Sequence, residues 1–596
     1  MVKVPLLWAS GARKEVLELL RTIWTQSDPQ TRDALGNAIC AGPPAELLAR
    51  VDPNERQASR DRRIFDRLIV LQRLGDPPLT AALEAELVRL GEMYPNWRAP
   101  EGEQAHFGAW MEMRVGPDTR YGFDDLKALD YDALVGVLIN EQEMREGLLE
   151  SWRHLSNSDP ARGISVLETL LRHDNLAPAD VLYYGLWGMR DSAKQPGLRK
   201  RLFILLQTLP AALFDQPEIS SAIADILETA ATSQPSPTHD DSFAQLFDRT
   251  LAAISLDPSN SDRPERQDWV SLAINRSMGR LATAFFAVLF ARELKVGAGI
   301  PADLRPKLDT LLTPNQAAHR PARVIAASRL SYLYAVDPGW AEARLIPSFD
   351  WADEIEALAV WQGYAWQPRI DDKLWLALKP HFLPMFTPAR LEQLGSMGRS
   401  IAPMLMLVGI EFGIDELPRD AVRNAIRAMP DDMRTQAAAW IASYLEQRDE
   451  ANVEGEDQTI AALASADALW TKRVRPWLDR VWPLEPALRS QETAEQFALI
   501  AIATDARFPE AVAALRPYMI PGNSYYAIHR LEASKHPDKH PHATLDLIDA
   551  VVDPDQPRFG ENDLRSIVER VRAAEADIAD SAVFRIWDER LRVQNI

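Results

Sequence analysis

Apolar residues recur along this chain with the spacing of an α-helix. In "LATAFFAVLFARELK" Leu281, Phe285 and Leu289 fall four apart, on one helical face. Leu374, Leu378 and Phe382 repeat the pattern, and "DLRSIVERVRAAEADI" sets Leu564, Ile567, Val568 and Val571 on one stripe. Alternating runs of strand type are scarce. "VPLLW" (4–8) and "MEMRV" (111–115) are the best, and both are short. The spacing therefore predicts an all-α chain, with about 60% helix against the ~30–35% of an ordinary globular protein.

The punctuation between helices is equally regular. Of 42 prolines, many follow Asp, at 28–29, 52–53, 76–77, 159–160, 257–258, 337–338 and 553–554. Asp favours N-caps and turns, and the residue before Pro avoids the α region. Asp-Pro thus marks helix starts. Short helices between such turns, over hundreds of residues, predict stacked helical hairpins, a degenerate HEAT-like α-solenoid with no fixed period. Polar, turn-rich stretches at 92–104, 232–242 and 446–458 suggest four units, 1–100, 101–235, 236–450 and 451–596.

The chain has 596 residues and a net charge of −20. So acidic a protein is a poor general nucleic-acid binder, because phosphate affinity rests on surplus Lys and Arg. The basic runs "RDRR" (60–63) and "RKR" (199–201) read as solvated helix faces. A single cysteine, Cys40, excludes an intrachain disulfide and suits a reducing compartment. No window approaches 18 uninterrupted apolar residues, and no signal peptide is evident, so the expectation is a cytoplasmic protein without a membrane span.

Four stretches were candidates for chemistry. "KVGAGIPADLRP" (295–306) has the glycines of a dinucleotide-cradling turn, but it follows a helical pattern where that turn needs a strand. Gly297 and Gly299 read instead as the C-cap of the preceding helix. His536, His540 and His542 in "KHPDKHPH" are the nearest approach to a metal site, yet two prolines interrupt them and no nearby carboxylate-and-histidine helix completes one. "PDTRYGFDDLK" (117–127) echoes a nuclease motif but reads as an acidic helix start. Cys40 stands alone. No cofactor and no catalytic residue is expected, and the chain reads as a non-enzyme.

"WQGYAWQPRIDDKLWLALKPHFL" (361–383) is the richest aromatic and basic stretch. Trp361 and Tyr364 have core spacing with Ala357 and Ala365. Trp366, Arg369 and Lys379 follow a helix break and are the candidates for a partner surface.

Several phrases in order, among them "FGAWMEMRVGPDTRYGFDDLKALDYDALVGVL", "INRSMGRLATAFFAVLF", "ARVIAASRLSYLYAVDPGWAEARLIPSFDW", "WTKRVRPWLDRVWP" and "KHPHATLDLIDAVV", resemble the helical region of unknown function that follows the sirtuin-type NADase domain in bacterial anti-phage defence proteins. The resemblance spans about residues 105–596, and the sirtuin domain itself is absent. It implies a sensor or scaffold whose partner is a defence effector subunit or a phage protein. The alternatives are a general assembly adaptor unrelated to defence, or an NADase- or nuclease-type enzyme whose site shows no motif. Oligomeric state is not legible.

Overall fold

A computed structural model describes residues 6–8, 13–48, 56–94, 97, 121–140, 146–172, 178–256, 268–449, 465–553 and 561–593. Among these residues every regular element is helical, with one isolated bridge between Gly522 and Val552. Of the two strand candidates, Leu6–Trp8 is a 3₁₀ turn and 111–115 lies outside the described residues. No described helix is long and apolar enough to cross a membrane.

The chain forms two compact units, Met1–Arg120 and Tyr121–Ile596. The first packs helices Arg13–Gln26, Pro29–Ala41, Arg56–Gln72 and Ala81–Met93 around Leu20, Trp24, Ile39, Ile64, Leu68, Leu71 and Leu90. Buried Arg67 ties the N-terminal turn to this core. Its Nε donates to the Leu7 carbonyl at 2.9 Å, and its guanidinium lies 4.2 Å from the Trp8 ring centre.

In the second unit the helices fall into two rows. One row runs Glu146–Ser158, Ala179–Met189, Pro217–Ala231, Ser277–Phe290, Arg320–Ala327, Glu354–Trp366, Gly398–Leu407, Asp431–Asp449 and Gln491–Ile502, each packed on the next. It continues through Tyr525–Ala533 to Glu561–Ala574. Partner helices such as Pro160–Arg172, Pro196–Thr208 and Asp241–Ser255 line up behind it. The helices on both sides of 232–242 pack on each other, so that stretch is a turn inside this unit. The apolar stripes read from the sequence are buried as expected: Leu281, Phe285, Leu289, Leu374, Leu378, Phe382, Leu564, Ile567, Val568 and Val571 all lie in the core.

Asp-Pro performs the predicted work at three places. Asp28 and Asp337 are N-caps whose carboxylates accept from the Thr31 and Trp340 amides, with Pro at the first helical position. Asp159 accepts from Arg162 N at 3.1 Å ahead of Pro160. Asp76-Pro77 instead lies in a turn, and the Pro77 carbonyl accepts from the Trp24 indole at 3.0 Å.

Some polar contacts between neighbouring helices join residues 33 to 38 positions apart. Gln207 bonds Gln245, 38 residues on. Arg323 bonds Glu356 at a separation of 33, Lys379 bonds Glu416 at 37, and His536 bonds the Ile502 carbonyl at 34. Ser566 bonds Glu532, again 34 away. Other bonds between helices span longer separations, such as Arg427 to Glu485 and Thr435 to Thr493, both 58 apart.

Candidate functional site

Asp353 caps the Glu354–Trp366 helix by accepting from the Glu356 amide at 3.1 Å. Two turns on, Trp361 is fully buried and its indole donates to the Phe349 carbonyl at 3.3 Å. Phe349 meets that ring edge-on at 4.9 Å between centres. The Tyr364 hydroxyl donates to the Arg369 carbonyl at 2.8 Å, and burial pushes its pKa far up. Gly363 is required for the close approach of the neighbouring helix: a Cβ there would lie 2.3 Å from the Val324 carbonyl oxygen. Trp361 and Tyr364 are therefore packing residues.

The three partner-surface candidates have different surroundings. Trp366, at the last turn, is 37% exposed. Arg369 is exposed in the link to the Asp372–Phe382 helix. Lys379 is engaged: its ammonium lies 2.8 Å from the Glu416 carboxylate, which also accepts from the Trp375 indole at 3.2 Å. These bonds hold the Glu416 carboxyl below its ordinary pKa. Lys379 thus joins two rungs.

Next to this helix lies an open groove of about 490 Å³, lined by Tyr334, Pro338, Glu342, Ile346, Lys373 and Leu376. Leu376 is 66% exposed on the outer face of its helix. Tyr334 donates to Glu342 at 2.8 Å, and burial followed by that carboxylate pushes the phenol up to about 12.

Beneath the surface is a charged network absent from the sequence reading. Glu356 accepts from Arg320 Nε at 2.8 Å and from Arg323 through both guanidinium edges, one at 2.8 Å. Arg323 also donates to the Thr313 and Gln316 carbonyls. Burial pushes the Glu356 carboxyl up, but the arginine hydrogen bonds and charges outweigh it and hold it low. Gln362, one turn and a half along, accepts from the Trp269 amide at 2.8 Å and donates to the Gln393 carbonyl at 3.0 Å. The available signal was the pair of arginines three apart in the otherwise apolar "RPARVIAA" (320–327).

The remaining motifs are structural. His536 is buried, stacks on Phe508 with ring centres 4.0 Å apart, and bonds the Ile502 carbonyl at 2.9 Å through Nε2. Burial lowers its pKa. His542 is exposed and pairs with Glu575 at 3.1 Å, and the His540 ring centre stands 6.1 Å from that of His536. Among the described residues, no group of three His, Cys, Asp or Glu could hold a metal ion.

Gly297 and Gly299 take left-handed φ of 74° and 77°, but they do not cap the helix before them, which ends at Phe290. Their amides donate to the Ala335 and Val336 carbonyls, at 2.8 and 2.9 Å, and close the Leu330–Val336 helix instead. The amides that could have cradled a phosphate are thereby engaged. Asp124 and Asp125 sit in the first turn of Phe123–Ala128. Cys40 is half-buried, and its thiol pKa is raised by burial and then by Glu86, which keeps it protonated.

The basic runs are only partly solvated: Lys200 is exposed, while others are engaged. Arg60 donates to the Cys40 and Ala41 carbonyls, and Arg199, which is buried, bonds Ser233 Oγ and the Pro235 carbonyl. Arg201 reaches Ser165 and Glu168. Helix ends with unpaired carbonyls attract such cations.

No family model matches this chain, and no curated protein matches it.

Proposed function

We propose that the chain is a non-catalytic, HEAT-like helical scaffold that binds a protein partner, in the setting the sequence resemblance implies, a bacterial anti-phage defence system. The partner is a defence effector subunit or a phage protein. The observation that supports a binding role is the groove at Leu376, with exposed Trp366 at the end of the preceding helix. Exposed Trp and Arg beside a rigid core are residue types in which binding hot spots are enriched. The net charge of −20 argues for protein over nucleic acid.

A scaffold of this kind acts on an effector by binding its two states unequally. The test is phage challenge with and without the gene, alongside affinity capture of the full chain from infected cells. Protection lost on deletion, with a protein recovered by the wild-type chain and not by Leu376→Asp, is the expected result. Unchanged protection removes the defence setting and leaves a general adaptor. Recovery of DNA or RNA at physiological salt removes the partner class.

A further inference from the structure

We draw no further inference here: the strongest candidate, the surface patch on the Ala179–Met189 helix where Tyr183, Tyr184 and exposed Trp187 meet and Arg153 stacks on the Trp187 ring, is an aromatic face, and nothing in the structure shows what covers it.

Discussion

Glu356 and Trp366 occupy the two ends of one 13-residue helix, and their surroundings are opposite. At the N-terminal end a carboxylate is buried between two arginines from the neighbouring helix, whose hydrogen bonds and charges keep it ionised. At the C-terminal end a large aromatic ring stands 37% exposed, next to a link with an exposed arginine. Residue type alone would place the two the other way round. The difference shows that position along the helix decides the role: its N-terminal end is sealed by the neighbouring helix, and its C-terminal end is left to solvent.

The widest gap between the two ends should come from Glu356→Ala. It leaves Arg320 and Arg323 buried without their anion, and breaking such a pair costs about 3–5 kcal/mol. Urea unfolding should show the midpoint falling far, or the second unit failing to fold. Trp361→Ala, between the two ends, removes a fully buried ring and should cost about 3–4 kcal/mol. If either variant unfolds at the wild-type midpoint, the sealed end is not sealed.

A second carboxylate sharpens the contrast. Glu228 also lies near two arginines, Arg280 and Arg190, but neither is hydrogen-bonded to it. Burial, and then the negative charge of Asp225, push its pKa up to about 7. Between its ordinary value near 4.5 and about 7 the folded chain holds a proton that the unfolded chain has released. Stability from this group is therefore lost as pH rises through that window. Glu228→Gln should be more stable than wild type by about 1 kcal/mol at pH 8, a figure reduced for partial exposure. The difference should vanish at pH 4, and thermal melts at the two pH values would measure it. Equal differences at both would mean that the amide stabilises through shape and not through charge.

The smallest effect is expected at the exposed end. Trp366→Ala and Arg369→Ala should each shift stability by no more than about 0.5 kcal/mol, as surface changes do, while weakening capture of a protein partner. A melting-temperature loss as large as that of Trp361→Ala would move Trp366 into the core.

The rung-to-rung bonds explain what was hidden in the sequence. The motifs at Gly297, His536 and Arg199 were visible as residue types, yet each is engaged by a neighbour remote in sequence: Ala335, Ile502 and Pro235. The bonded pairs could not be read from the sequence because they join different residue types at separations from 33 to 93 positions. Packed helices ask only that some donor meet some acceptor across the seam, so no single residue pattern marks the contact.

The sequence by itself determined the helical class, the buried stripe of each helix and the Asp-Pro starts. These are local matters: a 3.6-residue period and a carboxylate two or three residues from an open amide act within one turn. Tertiary structure alone decided that Glu356 lies buried between Arg320 and Arg323 and that Lys379 is held by Glu416. Each of these joins residues tens of positions apart, and burial and charge pairing arise only when helices distant along the chain are brought within a few ångströms.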